Sequence, residues 1–355
     1  MNKIMMPEYT FSIASIIKLL LVFNCVYGCL LLNRPRYTGL KWLLLIAGLA
    51  TTLDLTQNVF NLHQELAIAT VFTLILGPGY YWFIKGLISP VKFQWQNLKH
   101  LLPAIIALFI LNQPQIVIAF GTLSQLAYGY VILRLIKNYH KAIQSETSFA
   151  ESLNLNWVKY AMVVLILSIV FDLIRLNLQP VIPNDINEVS QIISNGIAVI
   201  VTSFLVIKLN QLPEIFSDFS LPQDAQAPAE QPVADALAED MFQQLHQQIM
   251  EQRWFLTPRL TLRMLSELTG LGEKDISWAI NTGGSASFND YINKLRLTEF
   301  TQRFEQKNHN QMSILDVALD CGFNSKSSFN LVFKRELGVT PSQYLKTRNS
   351  EPGRT

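Results

Sequence analysis

Apolar residues gather in seven runs over the first 210 positions: Tyr9–Leu32, Leu40–Phe60, Leu66–Ile88, Leu98–Asn112, Gln115–Ile136, Trp157–Leu178 and Val189–Leu209. Crossing about 30 Å of hydrocarbon takes roughly 20 apolar residues in a helix. Six of the runs reach that length comfortably, whereas the fourth is short and carries Pro103. The pattern predicts a seven-helix membrane bundle over residues 1–210 rather than helices buried in a large soluble protein. Gly77-Pro78-Gly79 inside the third run predicts a kink or a broken turn, tolerated where neighbouring helices satisfy the freed carbonyls.

The pattern changes after residue 210. Residues 211–240 are rich in Pro, Ala and Gln and hold seven acids and no base, which predicts a tether that buries too little apolar surface to order itself. From residue 241 short amphipathic helices begin. Met241, Phe242, Leu245 and Ile249 recur at helical spacing, and Phe255 to Pro258 makes a turn. Leu262 to Thr269 follows with Leu262, Leu265 and Leu268 inward, then Gly270-Leu271-Gly272 and a helix from Glu273 to Asn281. Ser287 caps a long helix to about Gln306, with Asp290 at its third position. Ser313 to Cys321 buries Ile314, Val317 and Ala318; Gly322 allows a tight turn; Ser325 caps a helix with Phe329, Val332 and Phe333 inward. Thr340-Pro341 opens a last helix. Residues 241–349 therefore read as two helix-turn-helix units joined by one long helix, with a tail at 350–355. The fold class is all-α.

Charge sets the orientation. Only 15% of residues are charged and the mean hydropathy is +0.25, unusual for a soluble protein. Arg34, Arg36, Lys41, Lys85, Lys92, Lys99, Arg134, Lys137, Lys141, Lys159 and Lys208 all flank alternate loops. The other loops (Asn61–Glu65, Asn112–Gln115, Gln179–Glu188) hold no Lys or Arg. The positive-inside rule then places the N-terminus outside and the C-terminal domain in the cytoplasm, and only seven crossings satisfy it throughout. Trp42, Tyr81, Trp82, Trp95, Tyr139 and Trp157 near the run ends suit an interfacial belt. Cys25, Cys29 and Cys321 make no disulfide framework, and the first run, interrupted by Lys18, reads as a retained span rather than a signal peptide.

Lys18, Asp54, Asp172 and Arg175 fall roughly 20–25 Å from the cytoplasmic ends at about 1.5 Å per residue, and Gln125 and Asn195 reach a similar level. Intramembrane charges are costly and are paired or functional. Two readings fit: polar glue between helices, or a pocket for a small molecule or ion opening to the outer side. His63, His100 and His140 lie far apart in sequence, so no metal site is expected, and no catalytic motif or cofactor signature appears.

The segment Gly322-Phe323-Asn324-Ser325-Lys326-Ser327-Ser328-Phe329-Asn330-Leu331-Val332-Phe333-Lys334, followed by Gly338-Val339-Thr340-Pro341-Ser342-Gln343-Tyr344, closely resembles the C-terminal signature of the AraC/XylS family of bacterial transcription regulators. The resemblance covers about residues 241–347. It implies two recognition helices entering successive major grooves, one turn of about 34 Å apart. Base-facing positions of the family correspond to Lys274, Ser277 and Trp278 in the first helix and to Lys326, Ser327, Asn330 and Leu331 in the second. Lys334, Arg335, Arg296 and Lys294 fit phosphate contacts or solvated surface equally. Glu273 and Asp275 make the first recognition helix acidic, and Leu331 stands where many relatives carry Arg. Expected partners are promoter DNA, RNA polymerase, membrane lipid, a second copy in a homodimer, and a small-molecule or envelope signal. The expected whole is a multi-pass regulator of a bacterial inner membrane; the competing expectation is a transporter-like or merely anchoring membrane domain with an appended DNA-binding domain.

Overall fold

The computed structural model describes residues 12–59, 68–89, 95–111, 113–178, 181–212, 235–306 and 313–344. Most of the expected tether (213–234), His63 and the tail 350–355 lie outside these residues. Every element named within them is a helix, apart from one isolated antiparallel bridge between Thr147 and Thr261. The chain divides into two compact units, Met1–Lys137 with Leu155–Ser220, and Asn138–Asn154 with Leu221–Thr355. The second unit is therefore discontinuous in sequence. It includes residues 138–154, which the hydropathy pattern assigns to a connection within the membrane half.

The first unit contains α1 (Ile13–Leu31), α2 (Thr38–Val59), α3 (Ile68–Ile88), α4 (Leu102–Ala107), most of α5 (Pro114–Glu146), α6 (Asn156–Leu178) and α7 (Asn184–Asn210). Six of them (α1, α2, α3, α5, α6 and α7) are long and apolar enough to cross a membrane, against the seven expected. The fourth run is the difference. Its first part, Trp95–Leu101, is a 3₁₀ helix, and Pro103 sits at the start of a six-residue α4. Proline fits the first turn but donates no N–H, so the run is not one long α-helix. α3 continues unbroken through Pro78. The long helices leave Phe23, Leu30, Leu123, Leu167 and Ile200 exposed, an apolar surface that water disfavours. Close packing rests on small residues: a Cβ on Gly121 would stand 2.0 Å from Thr73 Oγ1.

The second unit holds α8 (Asp235–Gln252), α9 (Leu262–Thr269), α10 (Glu273–Trp278), α11 (Phe288–Gln306), α12 (Ile314–Asp320) and α13 (Lys326–Leu337). α8 starts at Asp235, inside the stretch read as tether, and buries Ala238. The expected caps form, Ser287 with Asp290 on α11 and Ser325 on α13, and two more join them, Thr261 on α9 and Ser313 with Asp316 on α12. Leu268 was expected inward but is exposed. Steps of three residues each fall about 60° short of a full turn, which carries the third leucine off the buried face.

α11 is the shared spine. Its first half places Phe288 and Ile292 in a core with Leu245, Leu262, Leu265 and Ile276. Its second half places Phe300 and Phe304 in another with Val317, Phe323, Phe329 and Phe333. Phe329 is central there, with ring centroids 4.7 Å from Phe300, 5.2 Å from Phe323 and 5.4 Å from Phe333. Burying such a ring contributes about 1.5–3 kcal/mol, and each good aromatic pair about 0.5–1.5 kcal/mol more. Gly322 turns the chain at φ +92°, and a Cβ there would stand 2.8 Å from the Leu256 carbonyl oxygen and 2.9 Å from Arg296 Nε. The second helix-turn-helix thus abuts the turn before the first.

Candidate nucleic-acid interface

α13 has two unlike faces. Ser328, Phe329, Val332 and Phe333 are buried, while Lys326, Ser327, Asn330, Leu331 and Lys334 are exposed. Positions 327, 330, 331 and 334 fall at i, i+3, i+4 and i+7, so they form one stripe along the helix. The stripe offers a hydroxyl, an amide with both donor and acceptor, an apolar side chain and an ammonium. Those groups match a base edge, a thymine methyl and a phosphate. The Ser325 hydroxyl accepts from Ser328 N at 3.2 Å, leaving the first turn of α13 projecting from a fixed start. Arg335 does not join the stripe. Its guanidinium lies 2.9 Å from Asp290, 3.5 Å from Glu151 and 2.9 Å from Glu336.

The first recognition helix is shorter than expected. α10 covers six residues and passes into a π-helical turn, Ala279–Gly283, that carries Ala279 and Ile280 into the core. Lys274 is exposed, and Ser277 and Trp278 are half-buried. The Ser277 hydroxyl accepts from Asn281 Nδ2 at 3.1 Å, so it enters any DNA contact already engaged. Glu273 and Asp275 stand in the first turn, where the helix dipole favours them and phosphate is repelled. α13 is the better reading surface.

Arg296 is neither a phosphate contact nor solvated surface: it is buried between the two helix-turn-helix units. Nε donates to the Phe255 carbonyl at 2.7 Å and Nη2 to the Thr257 carbonyl at 2.8 Å. Nη1 donates to the Ser148 carbonyl at 3.3 Å and to Asn293 Oδ1 at 3.4 Å. Burial brings its pKa down to about 10, with the Glu151 carboxylate opposing, so the guanidinium stays charged at neutral pH. Lys294, on the same helix, is exposed. The Cys321 thiol is pushed up to about 11 by burial, which makes it an inert core group. Sequence reasoning missed residues 147–151 altogether. The signal available was Phe149 and Leu153, two apolar positions in a polar connection, both buried.

The six polar residues within the apolar helices, Lys18, Asp54, Gln125, Asp172, Arg175 and Asn195, do not form one connected set of contacts. Lys18 Nζ lies 2.6 Å from Asp54 Oδ2, joining α1 to α2. Arg175 Nε lies 3.1 Å from Asp172 Oδ1; Arg175 also donates to Asn187 at 2.9 Å, and Ser194 to Asp172 at 2.8 Å, joining α6 to α7. Gln125 Nε2 donates to the Thr73 carbonyl at 2.9 Å, joining α5 to α3. Asn195 has a buried Nδ2 without a partner. Lys18 is 3% exposed and Asp54 42%, so Asp54→Asn leaves a buried ammonium without its counter-charge. A loss of about 1–3 kcal/mol in denaturant unfolding of the detergent-solubilised chain is expected, with recovery in Lys18→Met, Asp54→Leu.

A family profile described as a helix-turn-helix domain matches residues 265–347, from within α9 through the last described helical turn. Residues 265–347 form a helix-turn-helix domain. The chain also aligns with the probable transcription factor PqrA of Proteus vulgaris, 38% identical over 55 residues, which is 16% of this chain and 43% of that protein. It also aligns with the HTH-type transcriptional activator RhaR of Enterobacter sp. strain 638, 27% identical over 89 residues (25% and 30%). A third relative is the HTH-type transcriptional activator RhaS of Mannheimia succiniciproducens, 37% identical over 54 residues (15% and 19%). The chain spans less than half the length of these curated relatives. No solved structure matches it significantly.

Proposed function

We propose that this chain is a membrane-bound, one-component transcription regulator of the AraC type, whose second unit binds promoter DNA and whose apolar unit holds it at a bacterial inner membrane and senses a signal. The observation that carries the reading is the stripe Ser327, Asn330, Leu331 and Lys334, exposed on one face of α13 directly opposite the Phe329–Phe333 core, inside a helix-turn-helix match. Six apolar helices support the membrane half, with residues 1–210 as the spanning domain, the acidic tether after it and 241–349 as the DNA-binding domain. Activation follows the names of the relatives; RNA polymerase is the partner an activator would contact, and a homodimer would occupy paired sites. Mapping where the intact chain crosslinks to the chromosome in cells tests the reading; no enrichment at promoters ends it.

The fourth run completes the topology as a seventh, partly 3₁₀ crossing. At about 2.0 Å per 3₁₀ residue and 1.5 Å per α residue, residues 95–107 reach roughly 23 Å. His100 packs against Tyr81 and Tyr128, while Ala104 and Ala107 pack with Val71 and Val117, so the segment runs back along α3. A reporter fused after Lys208 is expected to behave as cytoplasmic and one fused at 183–188 as periplasmic; the inverse pattern would refute seven crossings.

A further inference from the structure

One short connection touches the cap of α9, α11 and α13 of the second unit. Thr147 pairs with Thr261, the cap of α9, and Ser148 N donates to the Leu260 carbonyl at 3.0 Å. Asn289 of α11 donates to the Thr147 carbonyl at 3.2 Å and to Glu151 at 3.3 Å. Arg296 reaches the Ser148 carbonyl, and Glu151 lies 3.5 Å from Arg335 of α13. Thr147 and Ser148 are 0% and 1% exposed. This is a docked segment, not a loop passing over a surface.

We infer that residues 147–153 are a brace that fixes the two helix-turn-helix units against each other, and that the membrane helices act on DNA through this brace, not through the 211–240 tether. Contacts to the cap of α9, to α11 and to α13 from seven residues tie one helix of the first helix-turn-helix unit, the shared spine and the second recognition helix into one arrangement, and the exposed stripe of α13 stays unobstructed. The docked state is therefore the one that binds two successive grooves. Preorganisation of this kind strengthens binding to paired half-sites without adding a DNA contact. The connection to the membrane is short on both sides: α5 runs unbroken to Glu146, bonded to Thr147, and α6 begins at Asn156. A helical lever passes a shift in tilt directly, whereas a polar Pro-rich chain passes torque poorly.

The inference rests on the DNA-binding reading, and the experiment separates the two. The full-length chain in nanodiscs is titrated with a bound promoter fragment and with the same fragment cut to a single half-site. Phe149→Ser, Glu151→Ala is expected to weaken paired-site binding about tenfold or more and to leave single-site binding within about twofold, because only the coupling is lost. Equal losses on both DNAs, or no loss on either, overturn the brace. An intact chain that binds neither DNA removes the DNA-binding reading and the brace with it. For the route, paired-site affinity is compared in phosphatidylcholine bilayers of 14- and 20-carbon acyl chains, which change helix tilt. A shift of about threefold or more is expected in the intact chain and in one whose residues 213–234 are replaced by Gly and Ser. Four Gly/Ser residues inserted between Glu146 and Thr147 are expected to abolish it. No shift in the intact chain, or a shift abolished by the tether replacement and not by the insertion, overturns the route.

Discussion

Arg296→Ala is expected to destabilise the second unit by about 3–5 kcal/mol, the range for breaking a buried charged network. The guanidinium donates to three carbonyls, Phe255, Thr257 and Ser148, drawn from two stretches of chain. Alanine leaves those acceptors dry and unpaired, at about 1–3 kcal/mol each before relaxation. Gly322 approaches Arg296 Nε so closely that the turn of the second helix-turn-helix rests on the same side chain. Arg296→Lys keeps the charge but replaces a planar fork by a point donor, and an intermediate loss of about 2 kcal/mol is expected. Amide hydrogen exchange of the full-length chain in micelles reads both: α11 to α13 should lose protection while α1 to α3 keep theirs. Unchanged protection in α11 after Arg296→Ala would show that the network is not what holds the unit together.

Most of the second unit is legible in the sequence because its signals are local. Caps at Ser287, Ser313 and Ser325, the glycine at position 322 and the spacing of Phe329, Val332 and Phe333 each act within one turn of chain. What escaped is long-range. Arg296 on an amphipathic helix looks like solvated surface until carbonyls 39, 41 and 148 residues away come to it. The brace escaped for the same reason: hydropathy marks residues 138–154 as a gap between spans, and nothing in a period of 3.6 records what a gap will dock on. The positions named on α13 from the family resemblance, Lys326, Ser327, Asn330 and Leu331, are exposed, since they lie off the face that Phe329, Val332 and Phe333 turn inward. The six polar residues expected at one depth do not form one set of contacts, because a count along separate helices says nothing of which faces meet.

Asn330→Ala and Lys334→Ala are expected to separate base reading from phosphate binding on α13. Asn330 carries an amide able to accept and donate on one adenine edge, so its loss should relax preference at one base pair by about 1–3 kcal/mol, roughly 5- to 150-fold. Ser327→Ala should act on an adjacent position in the same way. Lys334 stands at the end of the stripe as an exposed ammonium. Its removal should weaken all sequences alike and lower the slope of log affinity against log salt by about one. Leu331→Arg adds a bidentate donor where an apolar side chain now stands, and should shift preference from thymine toward guanine at its position. Titration of the full-length chain against a randomised half-site, at two salt concentrations, measures all four together. A uniform loss for Asn330→Ala, with preference intact, would move base reading off this stripe.

The discontinuity of the second unit has a consequence for the order in which the molecule is made. Thr147 and Ser148 leave the ribosome long before their partners, since Asn289 lies 142 residues after one and Arg296 148 residues after the other. At bacterial elongation rates that interval is on the order of ten seconds. The early segment must stay accessible, anchored by α5 and α6, until the late helices arrive and fold around it. On the membrane-bound reading proposed above, a chain inserted with this connection on the wrong side of the bilayer synthesises every late helix and still leaves Arg296 and Asn289 without the carbonyls of Ser148 and Thr147. On that reading, completion of the second unit is conditional on correct insertion, a form of proofreading written into the placement of seven residues.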